Sequence, residues 1–352
     1  MRNYNRNSRK DSEIFVGIDV HRRFWHVTVL HLGVELFSGN IPGNWESLRQ
    51  LLTRYRKARI SVVYEAGFSG FWLYDRLVEW GAECLVTPPS LLPSEYGNRV
   101  KTDRRDSRKL AYLLWKGMLK AVWVPDKQSR YHRQVIRRRR QLVQDRIRIQ
   151  HRIKSELYCY GIDLDTSQGP WSRVYVSNLW RLRFGDRWMD ESFQRLLEEY
   201  EFLSEQVRRQ TRLLKELAAT DRYRDQVALL CSACGIGVIT AMEYLLELGD
   251  IGRFRQGEKL AAYVGLTPSQ YSSGERVRMG RITGIGKSHL RGSLVEVAWV
   301  AIRKDPGMYE IYQRIKRRAG SKRAIVAVAR RMLLIARRML LDGVPYRIGT
   351  AA

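Results

Sequence analysis

Early in the chain, short apolar runs alternate with amphipathic stretches. EIFVGIDV is an apolar run broken by a single acid, Asp19. FWHVTVL sets Trp25, Val27 and Val29 against His26 and Thr28, the two-residue period of a strand. VELFSGNI reads as a third strand, Leu48, Leu51 and Leu52 mark a helix, and RISVVYEA is a fourth strand ending in Glu65. A helix (GFWLYDRLVEW), a short strand (ECLVT) and a helix beginning near Thr102 follow. Three strands in a meander, then strands alternating with helices, predict a mixed sheet with helices on its faces. Pro125 closes this unit.

Beyond it, HRQVIRRRRQLVQDRIRIQHRIKSELY contains neither Gly nor Pro and predicts one long helix. A loop-like segment with Gly169, Pro170, Trp171 and Trp180 interrupts. The next helix carries Phe193, Leu196, Tyr200, Leu203, Val207, Leu214 and Leu217, spaced by threes and fours except at Gln210, which is a coiled-coil seam. The first helix keeps its heptads poorly, so the partner of the seam stays open. From about Arg222, LLCSACGIGVITAMEYLLELGD predicts two helices joined by a GIG turn, a helix-hairpin-helix-like unit. Helices starting near Lys287 and Lys322 follow, the latter with a broad apolar face. The expected organisation is a basic, flexible leader at 1–12, a sheet domain at 13–125, a coiled-coil region at 126–222 and a further, mainly helical domain at 223–347.

Charge narrows the function. The 352 residues carry 63 Lys and Arg against 36 Asp and Glu, a net +27, which points to a polyanionic partner. No apolar run approaches the ~18 residues of a membrane span, and the polar start MRNYNRNSRKDS lacks a signal-peptide core. The expectation is nucleic acid in the cytoplasm rather than a membrane surface. Of four cysteines only Cys231 and Cys234 form a CxxC, with no second pair to complete a zinc set.

Asp19 sits inside a strand that otherwise reads as buried, where a charge needs a partner or a metal. Glu65 ends another strand of the same sheet. Asp103 and Asp106, three apart at a helix start, share one face. Carboxylates gathered from strand, strand and helix repel unless cations intervene, and Mg2+ is the hard ion that prefers such oxygen ligands. Taken singly, Asp103 also fits a helix-dipole role and Asp106 a pairing with Lys109.

The basic helix, with Arg137, Arg138, Arg139 and Arg140 at its centre, holds a single aspartate, Asp145, and reads as a phosphate-tracking surface. Gly235 and Gly237 of the GIG turn suit either a phosphate at the following helix start or a plain interhelical turn. The stretch YSSGERVRMGRITGIGKS, 271–288, ends like a Walker A loop, but the rule requires glycine where Arg281 stands, and Gly280 is one residue early. ERVRMGRI also lacks the look of a buried strand, so an ATP site is rejected. Ser272 and Ser273 read as a turn or as a nucleophile, with Arg276, Arg278 and Arg281 able to hold a phosphodiester.

GID at Asp19, YEAGFSGFWLYDRL at Glu65, KTDRRDSRKLA at Asp103 and Asp106, GIGVITAMEYLLELGDIGRF, LAAYVGLTPSQYSSG and LRGSL follow one another over residues 13–345. In this order they resemble the transposases of insertion-sequence family 110. The resemblance implies an α/β plus all-α fold: an RNase H/RuvC-like mixed sheet with flanking helices, a coiled-coil middle and a mainly helical C-terminal serine domain. It implies that Asp19, Glu65, Asp103 and Asp106 are a metal-binding DEDD set using Mg2+, and that Ser273, directly before Gly274, is the nucleophile. Lys287 and Arg291 join the residues expected at nucleic acid. The implied activity is recombination of an insertion sequence with donor and target DNA through a covalent phosphoserine. An element-encoded non-coding guide RNA would pair with both DNAs, and the protein would form homodimers and homotetramers through the coiled coil. Cys234 stands where the family commonly has proline, and Thr283 to Lys287 departs from the family's Thr-Lys-x-Gly-Asn. A metal-dependent junction nuclease without a serine nucleophile, and a non-catalytic RNA- or DNA-binding protein, remain as alternatives.

Overall fold

The computed structural model describes residues 13–93, 102–167, 169–273 and 276–349, and the side chains of 271–279 lie outside that description. The leader expected at 1–12 falls outside it as well. The chain divides into two compact units, Met1–Val124 and Pro125–Ala352.

In the first unit, β1 (Glu13–Val20), β2 (Phe24–His31), β3 (Val34–Pro42), β4 (Arg59–Glu65) and β5 (Glu83–Thr87) form one sheet in the order β3-β2-β1-β4-β5. The first three strands are antiparallel, while β4 runs parallel to β1 and β5 parallel to β4, which is the mixed sheet of an RNase H-like domain. Strand alternation gives the sheet two different faces. One is apolar: Ile14, Val16, Ile18, Trp25, Val27, Val29, Val62 and Tyr64 pack in a single core with Leu48, Leu51 and Leu52 of α1 (Trp45–Thr53) and Leu73 and Leu77 of α2 (Trp72–Trp80). Each such side chain contributes on the order of 1.5–3 kcal/mol when fully buried.

The other face carries Gly17 and Asp19 of β1 with Thr28 and His26 opposite them on β2. Against it lies α3 (Asp103–Trp115), whose buried Ser107 hydroxyl bonds both Thr28 Oγ1 (2.8 Å) and His26 Nδ1 (2.7 Å). Gly17 lets the helix come this close, since a Cβ there would stand 2.0 Å from the Ser107 carbonyl oxygen and 2.5 Å from the Ala111 nitrogen.

The second unit begins with α4 (Lys127–Cys159) and α6 (Arg187–Ala218), and α5 (Arg173–Arg181) sits in the segment read as a loop, carrying Trp180 on a helix instead. The partner left open for the seam is α4 of the same chain: Leu142, Ile149, Ile153 and Leu157 share a core with Phe193, Leu197, Tyr200, Leu203 and Val207. Leu197 and Ala218 take the buried positions expected for Leu196 and Leu217. An α-helix drifts about 20° per heptad against a strict seven-residue repeat, which is enough to move the buried edge by one residue.

Next come α7 (Arg224–Cys231), α8 (Val238–Leu248) and α9 (Gly257–Val264). A hairpin of β6 (Pro268–Ser273) and β7 (Arg276–Ile282) follows. The strand β7 lies in a two-stranded ribbon apart from the five-stranded sheet, in keeping with ERVRMGRI lacking the look of a buried strand. The C-terminal helices are α10 (Ser288–Lys304), α11 (Pro306–Ala319) and α12 (Ser321–Asp342). The helix α11 was not anticipated. Asp305 caps it by accepting from Met308 N, and Pro306 occupies its first position, where its missing N–H costs nothing. α8 and α12 are the centre of this core, with Tyr244 donating to the Leu333 carbonyl at 3.2 Å.

Candidate functional site

Asp19 is the next-to-last residue of β1 and shares a face with Gly17, so it points toward the start of α3. Ile18 pairs with Tyr64 of β4, the last pair of that parallel register, and Asp19 and Glu65 are the residues that follow it on the two strands. Thr102 caps α3, accepting from Arg105 N at 3.4 Å, and sets Asp103 and Asp106 in the first turn. His21, in the turn after β1, brings Nε2 to 3.2 Å from Asp19 Oδ2 and 3.3 Å from Asp103 Oδ1. Oxygen or nitrogen atoms of Asp19, His21 and Asp103 thus lie within 4.8 Å of one another, a group with the geometry to hold a metal ion. Burial raises the pKa of Asp19; His21 opposes that rise, and the charges of Asp103 and Asp106 add to it. A half-buried carboxylate facing like charges favours a nearby positive charge, which a cation would supply.

In the second unit, the arginine run of α4 divides by its surroundings. Arg138 faces solvent. Arg137 makes two bonds to Glu247 of α8, at 3.0 and 3.1 Å, and Arg140 bonds Glu243 at 2.5 Å. Arg139 donates to Thr211 Oγ1 of α6 at 2.8 Å, and the buried Arg133 to the Leu246 carbonyl at 2.7 Å. Glu243 and Glu247 are buried, one helical turn apart on α8. Lys287 joins them, its ammonium 3.2 Å from Glu247 Oε2, and Ser293 donates to Glu243 Oε2 at 2.5 Å. Burial pushes the Glu247 carboxyl up, but Arg137 and Lys287 outweigh it and hold the pKa down at about 2.

Gly235 has φ +88°, and a Cβ on it would lie 2.8 Å from the Val297 carbonyl oxygen and 3.0 Å from Val300 Cβ. The interhelical turn and the approach of α10 account for this glycine. Gly237 differs: it is exposed, caps α8 without a side chain, and has open space where a Cβ would be. Arg291 Nη1 donates to the carbonyls of Val264 (3.0 Å) and Ile285 (3.3 Å), tying the GIGKS turn to the end of α9. Arg281 is exposed, whereas Ser273 and Arg276 are described only as a backbone pair at the tip of the hairpin.

Two family profiles match the chain. One, described as "Transposase" and named for the DEDD domain of IS110, covers residues 16–161, and the other, "Transposase IS116/IS110/IS902 family", covers 227–313. The "Putative transposase y4qE" of Sinorhizobium fredii is 30% identical over 93% of this chain and 82% of its own length. The chain belongs to the IS110 family of transposases. The transposase for insertion sequence element IS1533 of Leptospira borgpetersenii is 26% identical over 70% of this chain and 72% of its own. That for IS1111A of Coxiella burnetii is 24% identical over 98% and 94%.

This transposase is therefore an enzyme acting on DNA, with an RNase H-like first unit and a mainly helical second. Among the described residues, no helix is long and apolar enough to cross a membrane. Of the four acids read from the sequence, Asp19 and Asp103 come together around His21, Asp106 acts on Asp19 through its charge, and Glu65, at the end of β4, lies outside that group of three. Sequence reasoning missed His21, although its place two residues after Asp19 in GIDVH was the available signal. It also missed Glu243 and Glu247, whose spacing of four on a mostly apolar helix puts both on the face that meets Arg140 and Arg137.

Proposed function

We propose that this transposase cuts and rejoins DNA through Ser273, with a divalent cation held by Asp19, Glu65, Asp103 and Asp106. The convergence of Asp19, near the end of the central strand β1, with Asp103 at the start of α3 is the observation that carries the cation. Four carboxylates favour Mg2+ among biological ions. Bound there, it would neutralise phosphate charge and help activate an attacking oxygen. The resemblance of YSSG to the family's serine motif carries Ser273.

In the cleavage step, a bond forms between the serine oxygen and phosphorus as the hydroxyl gives up its proton. The bond from phosphorus to a sugar oxygen breaks, and that oxygen takes up a proton. The phosphoserine keeps the phosphate ester count unchanged, so a different sugar hydroxyl can reverse the step and rejoin strands. Among the described residues singled out for nucleic acid, exposed Arg281 and Arg138, and the open N-terminus of α8 at Gly237, are available to meet phosphates. Lys287 would have to leave Glu247 to do so. The same reading makes an element-encoded RNA the guide and places the reaction in the cytoplasm. Because the α4–α6 seam is filled within one chain, assembly into dimers or tetramers would use other faces of these helices.

Incubation with junction-bearing DNA and Mg2+, followed by denaturation, should yield protein-linked DNA from the wild type and none from Ser273→Ala or Asp19→Ala. Cutting by the wild type with no adduct would leave the metal-dependent nuclease as the better account. Sequencing of RNA copurified with the protein should recover transcripts from beside its gene, and their absence would remove the guide.

A further inference from the structure

His21 belongs to neither the DEDD set nor the serine domain, yet its imidazole lies between two of the acids. The turn that carries it is held at several points. His21 N donates to the Phe24 carbonyl at 3.2 Å, and Trp25 Nε1 donates to the His21 carbonyl at 3.1 Å. The imidazole packs on the Phe24 ring with centroids 5.1 Å apart. Trp25 is itself buried in the sheet core, so the turn is anchored to that core. The outcome is an Nε2 atom set at nearly equal distance from Asp19 and Asp103, carboxylates from a strand and from a helix start.

A half-exposed ion pair of this kind contributes about 0–1 kcal/mol, which gives little reason for so fixed a mount. A ligand gains much more from being fixed beforehand, because its orientation need not be ordered when the ion arrives. We infer that His21 is a nitrogen ligand of the cation that Asp19 and Asp103 hold, and that it shifts the site's preference from Mg2+ toward first-row transition ions such as Mn2+. This rests on the cation reading given above and changes its donor set. Mg2+ takes oxygen donors in near-octahedral geometry, whereas an imidazole nitrogen strengthens binding of transition ions. Asp19 and Asp103 remain shared by both, so the effect of His21 is on selectivity.

The test uses full-length protein titrated with Mn2+ alone and in competition with Mg2+, read by pulsed electron paramagnetic resonance. Bound Mn2+ should show coupling to a directly coordinated nitrogen in the wild type and lose it in His21→Ala. Even an outer partner of a metal ligand is worth roughly 10- to 100-fold in affinity, so Mn2+ should bind His21→Ala at least about tenfold more weakly. Mg2+ affinity should change much less, and the melting profile of the metal-free variant should match that of the wild type. Mn2+ bound tightly by the wild type without nitrogen coupling would overturn the role of His21 while leaving the acids as ligands. Mn2+ bound no better by the wild type than by the Asp19→Asn, Asp103→Asn double variant would overturn the cation site itself.

Discussion

Asp19 makes the conflict between stability and chemistry measurable at a single residue. Its pKa is raised, chiefly by burial, so the folded state holds the proton more tightly than the unfolded one. The sign follows: the contribution of Asp19 to stability is full below its unfolded pKa and is lost as pH rises through the folded value. In the absence of divalent ions, Asp19→Asn should therefore melt at a higher temperature than the wild type at pH 7, with the gap closing below about pH 4. Added Mn2+ or Mg2+ should raise the wild-type melting temperature and leave the variant unmoved, because only a bound ion stabilises by mass action. Calorimetry with and without the ion checks both halves. Gly17 acts on the same site from two residues away. Gly17→Ala would force α3 off the sheet, costing about 1–3 kcal/mol of overpacking and displacing Asp103 from Asp19. A misplacement of about 1 Å can cost 100-fold in rate, so DNA cleavage should fall by at least that factor. Unchanged cleavage would show that the approach of α3 does not set the site. Asp19 could be picked out in the sequence because a charge inside an apolar run is visible in one dimension, whereas Glu65, Asp103 and Asp106 stand at element ends. His21 was signalled only by its place in GIDVH, and the reason for Gly17 lies on α3, out of reach of the local sequence.

Among the elements, the strands of the first unit were legible from alternation and α3 from its cap and acids. The errors follow from what periodicity omits. The charged sequence of β7 shows no apolar alternation, so it gave no strand signal. A helix seam read as strict threes and fours misplaced Leu197 by one residue. That error is itself testable: Leu197→Ala should cost about 2–5 kcal/mol and Leu196→Ala distinctly less, measured by denaturant unfolding. The buried pairing of α4 with α8 was hidden for another reason, since Arg137 and Glu247 are 110 positions apart. Glu247 has its pKa held at about 2 against an ordinary 4.5, so its contribution is present above 4.5 and lost as pH falls toward 2. Glu247→Gln should flatten acid unfolding across that window. At neutral pH it should cost about 3–5 kcal/mol, because Arg137 and Lys287 would be left beside a group that no longer pairs with them.

At the scale of the whole molecule, a net charge of +27 says that a polyanion is bound but not by which residues. The structure sharpens the question by separating arginines facing water from arginines facing glutamate. Replacing Arg138 or Arg281 with alanine should lower the slope of log affinity for DNA against log salt by about 0.9 for each phosphate no longer neutralised, with little change in stability. Arg137→Ala should do the reverse, lowering stability while the slope holds. Filter binding across a salt series, paired with thermal melts, distinguishes the two classes. The order of the chain carries a last consequence. β1, β4 and α3, which carry the four acids of the proposed cation site, all precede Val124, so that unit can fold on the ribosome while the helix of arginines and the hairpin of Ser273 have yet to be made. Position along the chain is thus also position in time: the acids gather first, and the serine arrives last.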